Sequence, residues 1–154
     1  MFEPRVALAS LSGEADADWA RAGAVHAGAT FLGGIALDER SRAAAEAMVA
    51  DRDRVEFLPD DPIAFVDREL VALADVPIRP AFNVRSVTVE PIRDAARVCA
   101  RHGAILEINA HCRQPELCAA GCGETLLSDT GGPCRKAASR HSRRRTARAG
   151  GSGR

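Results

Sequence analysis

Asn109, His111 and Cys112 stand close together at the end of an apolar run, Ala104–Asn109. A rigid strand end aims side chains that a free loop does not, so this is a place where chemistry can be organised. A thiol there can donate or accept a proton. Its neighbours His111, Arg113 and Gln114 make the setting polar and electropositive, which lowers a thiol's pKa and raises its reactivity. The competing reading is a buried small hydrophobe, the commonest fate of a free cysteine. Asn109 closes an apolar strand, where an amide needs partners from a turn or from a ligand. His111 is either a second proton carrier or a loop side chain.

Cys112, Cys118, Cys122 and Cys134, with His111, also raise the question of a metal. The spacings C-x5-C and C-x3-C are not those of zinc fingers or ribbons, and Ala119-Ala120-Gly121 suits tight helix packing. No metal site is expected. His26 and His102 fall near predicted helix ends, where an imidazole meets the C-terminal dipole, and Trp19 reads as core or interface. Arg143-Arg144-Arg145 reads as a solvated basic run, with phosphate contact as the functional alternative.

Short apolar runs alternate with amphipathic or Ala-rich stretches. Strands are predicted at Arg5–Ser10, Ala29–Leu37, Val76–Val84 and Ala104–Asn109, and a short extended piece at Val55–Leu58. Two prolines weaken the first half of the third strand. Helices are predicted at Asp16–His26, Asp38–Asp51, from Asp61-Pro62 through Leu73, at Val89–His102 and at Glu116–Leu127. Ile63, Phe65, Val66, Leu70, Val71 and Leu73 form the apolar face of the third of these. About four strand–helix units imply a parallel sheet covered by helices. That is about half of a (β/α)8 TIM barrel, whose usual length is roughly 250 residues. The pattern alone also allows an open doubly wound sheet.

The formal charge of zero over 154 residues hides a split. Residues 1–129 hold all 21 acidic side chains against 13 arginines, a net charge of −8. Residues 130–154 carry +8 with no acid and no Val, Ile, Leu, Met or aromatic residue, so disorder is expected there. The five cysteines follow no basic and apolar leader, and no stretch approaches the roughly 18–20 apolar residues of a membrane span. A reducing cytoplasm with free thiols is the expected setting.

The segment Ile108-Asn109-Ala110-His111-Cys112-Arg113, followed by Gly121-Cys122-Gly123-Glu124-Thr125-Leu126-Leu127, resembles the signature of the tRNA-dihydrouridine synthases. Those proteins carry Asn-x-Gly-Cys-Pro and then Gly-x-Gly-x-x-Leu-Leu. The resemblance spans about residues 4–128, and its last twenty or so residues are the specific part. It implies a flavin-dependent TIM barrel that uses FMN, reduced by NADPH, to reduce uridine in tRNA. The related dihydroorotate and dihydropyrimidine dehydrogenases share the flavin barrel, so a free pyrimidine is the alternative substrate.

On this resemblance Cys112 is the catalytic acid that protonates the pyrimidine carbon. Ala9-Ser10-Leu11 corresponds to the first-strand segment beside the flavin, usually Ala-Pro-Met. Asn83 stands where an amide, usually Gln, ends the third strand, and Asn109 lies near flavin and base. His111 and Arg113 are expected at the substrate. His111 replaces a Gly and Arg113 a Pro, which marks a divergent, archaeal-type branch.

The expected architecture is thus residues 1–129 as the N-terminal half of the barrel, with 130–154 as an Arg-rich tail. The family's phosphate-binding loops belong to the second half, so the chain is expected to be truncated and inactive, or nearly so. Out-of-frame translation from about residue 130 is the expected origin of the tail. Open sheet edges invite self-association. A non-catalytic half-barrel and a basic-tailed nucleic-acid binder are the readings from other classes.

Overall fold

The computed structural model describes residues 2–52 and 54–128. The predicted Arg-rich tail, its disorder and Cys134 lie outside the described residues. The elements run β1 (Ala7–Leu8), α1 (Ala17–Gly23), β2 (Ala29–Ala36), α2 (Glu39–Asp51), α3 (Pro62–Ala72), β3 (Arg79–Arg85), α4 (Val89–Arg101), β4 (Ile105–Ile108), α5 (Pro115–Ala119) and α6 (Thr125–Ser128).

Local chemistry accounts for three of the helix starts. Asp16 accepts the Trp19 N–H, Asp38 that of Ser41, and Asp61 those of Ile63 and Ala64. Each aspartate satisfies backbone donors that have no partner inside the helix. Pro62 occupies the first turn of α3, where its missing N–H costs nothing.

The strands form one parallel four-stranded sheet in the order β1-β2-β3-β4. Strand order follows chain order without a reversal, so the described sheet has no topological switch point of the doubly wound kind. Side chains alternate between its faces. Leu32, Phe82, Val84 and Leu106 point to the helix side, into a core with Phe65, Val66 and Leu70 of α3 and Ala95, Val98 and Cys99 of α4. Burying each large side chain of this set contributes about 1.5–3 kcal/mol, and this layer holds the sheet. Phe65 meets Phe82 edge-on at 6.2 Å between ring centroids.

Several boundaries differ from expectation. Of Arg5–Ser10 only Ala7–Leu8 is strand, although the Val6 carbonyl still accepts the N–H groups of Gly28 and Ala29, and the Val6 side chain is 51% exposed on this edge strand. Beyond β1 the free side of β2 is met by Ala15 opposite Gly33 and by Phe57 opposite Ile35. The third strand starts at Arg79 rather than Val76. The preceding residues turn instead, with the Ile78 N–H bonded to the Val76 carbonyl, where Pro77 has no N–H to offer a ladder. Val71 is 55% exposed, so it leaves the apolar face assigned to α3.

The predicted helix Glu116–Leu127 is two short helices, α5 and α6. The chain breaks at Gly121 and Gly123, whose φ values of +90° and +62° lie in the left-handed region. Glycine enters that region without steric cost. Among the described residues no helix is long and apolar enough to cross a membrane.

Candidate functional site at the strand C-terminal ends

The sheet face away from the helices grows polar toward the strand C-termini. The register sets Phe31 beside Ala81 and Ile105, and one step further Gly33 beside Asn83 and Glu107. Two residues on, the alternation adds Arg85 and Asn109 to this face. Asn83, Arg85 and Asn109 are nonetheless buried.

Asn109 joins two strand ends to the loop that follows. Its Nδ2 donates to Asn83 Oδ1 at 3.3 Å. Its Oδ1 accepts the N–H groups of Cys112 at 3.1 Å and His111 at 3.4 Å. The turn that carries Cys112 is therefore tied to β3 as well as β4. The Cys112 carbonyl accepts the Glu124 N–H at 3.0 Å, which brings the Gly121–Gly123 break back against the turn. A Cβ on Gly123 would stand 2.1 Å from that carbonyl oxygen, so this approach requires glycine.

The Cys112 side chain is half-buried and packs against a small cluster of Met48, Leu117 and Cys122. Cys122 Sγ lies 3.0 Å from Ser41 Oγ, which in turn stands 2.5 Å from Asp38 Oδ2. The single Ser41 proton goes to the carboxylate, which only accepts when ionised, so the Cys122 thiol donates to Ser41. Burial pushes the Cys122 pKa up, and the Asp38 charge acts in the same direction. For Asp38 burial also acts upward. Bonds from the Ser41 hydroxyl and from the N–H groups of Ser41 and Val87 outweigh it, and the carboxyl is held below its ordinary value. Asp38 thus ties the end of β2 to the loop after β3.

A second polar network centres on Arg85. Its Nη2 donates to Glu56 at 2.9 Å, Ser12 Oγ at 2.8 Å and the Gly34 carbonyl at 3.1 Å. The Arg85 and Glu56 side chains are only 2% and 4% exposed. Two clefts meet at Ser10. One, of about 370 Å³, is lined by Ser10, Leu11, Ser12, Arg54 and Glu56 among others. The other, of about 310 Å³, is lined by Ala7, Ala9, Ser10, Phe31, Glu107 and His111.

The structure distributes the expected site residues as follows. Ala9, Ser10 and His111 line the 310 Å³ cleft, and Ser10 and Leu11 line the 370 Å³ cleft. Asn83 and Asn109 are joined directly. Cys112 and Arg113 line neither cleft. The Arg113 side chain is 83% exposed and paired with Glu124. His102 caps α4 and pairs with Asp67 at 2.7 Å, in line with its structural reading. Among the described residues no group of three or more His, Cys, Asp or Glu could hold a metal ion.

Arg85, Glu56, Glu107, Ser12 and Asp38 are additions to the expected set. A signal for three of them is present in the chain. Glu107 interrupts Ile-Leu-Glu-Ile, Glu56 interrupts Val-Glu-Phe-Leu, and Arg85 follows Phe-Asn-Val. A charge inside an apolar run is uncommon unless it is paired or used.

The class these features define is an α/β protein, with polar residues gathered at the C-terminal ends of a parallel sheet. The chain is similar to the uncharacterized protein MJ0144 of Methanocaldococcus jannaschii, 27% identical over 130 residues. The match covers 83% of this chain and 50% of that protein, so the chain spans about half the length of the curated relative. No protein-family model and no solved structure matches it.

Proposed function

We propose that the chain contributes the N-terminal half of a flavin-dependent (β/α)8 barrel of the tRNA-dihydrouridine synthase type. One observation carries most of this reading. Ala7, Ala9, Ser10, Glu107 and His111 line a single cleft, although β2 and β3 lie between β1 and β4. A sheet whose outer strands converge on one cleft is curled, as the strands of a barrel are. The sequential strand order supports the same reading, and so does the place of the cleft, since barrel sites lie at the strand C-termini.

The residues present fit the ring portion of FMN. Ala7 and Ala9 leave the β1 side of the cleft open, and Phe31 supplies an apolar surface. A volume of about 310 Å³ sits at the low end of small-molecule sites, roughly 300–1,000 Å³. No Lys or Arg lines this cleft, so these residues offer nothing to the phosphate. When bound, FMN supplies hydride exchange with the C5–C6 bond of a uracil ring, and NADPH serves as reductant.

In this reading Asn109 fixes the turn that presents Cys112. On the family resemblance the Cys112 thiol would be the acid for the ring carbon next to the one that receives hydride, reached by a turn of the side chain away from Met48, Leu117 and Cys122. His111 stands at the mouth of the cleft to contact the substrate. The substrate is uridine in tRNA or, with the same chemistry, a free pyrimidine such as dihydroorotate. The setting is a reducing cytoplasm, where the cysteines stay free.

Titrating FMN with the purified chain while following flavin fluorescence and the visible spectrum tests the reading. Saturable quenching with a shifted spectrum is expected, and unchanged free-flavin signals would sink it. NADPH oxidation that depends on tRNA, rather than on uracil or dihydroorotate, separates the two substrates.

A further inference from the structure

Three buried nitrogens on the open face of the sheet have hydrogens to donate and no acceptor among the described residues: Asn83 Nδ2, Arg85 Nε and Arg85 Nη1. The two side chains flank Gly34. A Cβ built there would lie 2.3 Å from Asn83 Oδ1 and 3.3 Å from Arg85 Nε, so glycine is what lets both approach the backbone. The Asn83 amide cannot be reversed to remove its orphan, because its Oδ1 already takes the Asn109 donor. Buried donors are costly to leave without an acceptor. Ser12 and Glu56 both bond Arg85 and both line the 370 Å³ cleft, so the guanidinium stands directly behind that cleft's wall.

The charge balance narrows the ligand. Arg85 is already neutralised by Glu56, and both are buried. An incoming carboxylate or phosphate would leave one negative charge in excess at a buried site, which is strongly unfavourable. An uncharged acceptor adds no charge and takes up the donors.

We propose that Asn83 and Arg85 form a recognition site for the uncharged carbonyl edge of a heterocycle that enters through the 370 Å³ cleft. The Arg85–Glu56 pair sets the selectivity against anions. Arg85 and Glu56 are new to this role. It deepens the flavin and pyrimidine reading above, and stands apart from it in resting on the Arg85 pair rather than on the cleft beside His111.

The test uses the full chain and four probes: riboflavin and uracil as neutral carbonyl heterocycles, acetate and inorganic phosphate as anions. Calorimetry or, for riboflavin, fluorescence gives each Kd. Riboflavin or uracil should bind and the anions should not. Two variants are compared: the charge-neutral pair Arg85→Met with Glu56→Gln, and Asn83→Asp, which exchanges the orphan donor for an acceptor at constant shape. Circular dichroism checks that each folds.

Each folded variant should bind the neutral probe about tenfold or more weakly. Wild-type affinity in either variant overturns the assignment, as does tighter binding of acetate or phosphate, or binding of none of the four probes. Riboflavin bound equally by wild type and both variants keeps the flavin reading and removes this one. Uracil bound in an Arg85-dependent way, with riboflavin ignored, does the reverse.

Discussion

Asn109 donates from Nδ2 to Oδ1 of Asn83 across 3.3 Å, a buried side-chain bond that links the ends of β4 and β3. The direction is forced, because Asn109 Oδ1 is occupied by the N–H groups of His111 and Cys112. Only its NH₂ remains for Asn83, which must then present its own oxygen. One amide thus orients the turn before Cys112 and decides which polar atom of Asn83 is left over.

Replacing Asn109 with Ala removes the acceptor of two turn N–H groups and the donor to Asn83. A loss of about 1–3 kcal/mol in unfolding free energy is expected, the cost of leaving such groups unpaired. Asn109→Asp keeps the turn acceptor but sets two oxygens against each other, so it should also weaken the fold. Urea denaturation measures both. A change within about 0.5 kcal/mol for the Ala variant would mean the side chain does not hold the turn.

Glu56→Ala leaves the Arg85 guanidinium buried without its counter-charge. Removing one partner of such a pair costs about 3–5 kcal/mol. The double variant Arg85→Met with Glu56→Gln should be more stable than Glu56→Ala alone, since no isolated charge remains. Equal stability of Glu56→Ala and wild type would show that the pair contributes no net free energy.

Asp38 gives the fold an acid-sensitive joint. Its carboxyl is held below the ordinary 3.8 by bonds from Ser41 and Val87 that outweigh burial. A depressed folded-state pKa stabilises above the unfolded value and is lost as pH falls through the folded one. Stability of the wild type should therefore drop as pH goes below about 3.8. Asp38→Ala should lose this contribution and, at neutral pH, about 1–2 kcal/mol with the α2 cap. Denaturation curves at pH 3 and 7 in both proteins compare the slopes, and parallel slopes would remove Asp38 as the source.

The thiols should separate by reactivity. Burial pushes Cys99 from 9.0 up to about 11, and burial likewise raises Cys122, which donates to Ser41. Cys112 and Cys118 are only half-buried. Iodoacetamide at neutral pH should label Cys112 and Cys118 well before Cys99 and Cys122, as read by peptide mass spectrometry, because the thiolate is the reacting form. The raised Cys99 value also stabilises the fold below pH 9 and is lost as pH climbs toward about 11. Early labelling of Cys99 in the native protein would contradict this packing.

Much of the architecture was legible along the chain. Short apolar runs and the amphipathic or Ala-rich stretches between them located the four strands and the helices α1 to α4, and the Asp-Pro pair marked the start of α3 within a residue. The helix drawn over Glu116–Leu127 failed at Gly121 and Gly123. Their role depends on the Cys112 carbonyl packing against Gly123, a contact between residues eleven apart in the chain. At the site, Asn109 and His111 were named from the chain, and Asn83 and the Ala9–Leu11 segment from the family resemblance; Asn83 bonds Asn109, and Ala9 and Ser10 share a cleft with His111. Arg85 and Glu56 were not: each stands as a charge beside apolar residues, but nothing local joins two positions 29 apart into a pair.

Residue types and their periodicity by themselves determined that parallel strands would lie under helices, because burial of apolar faces follows local alternation. They also placed an amide and a thiol at a strand end. Tertiary structure decided which polar atoms are satisfied, that Cys112 packs beside Cys122 and Met48, and that Arg85 is locked to Glu56. Hydrogen bonds and ion pairs depend on distances across the sheet, and those are set only when separate segments pack together.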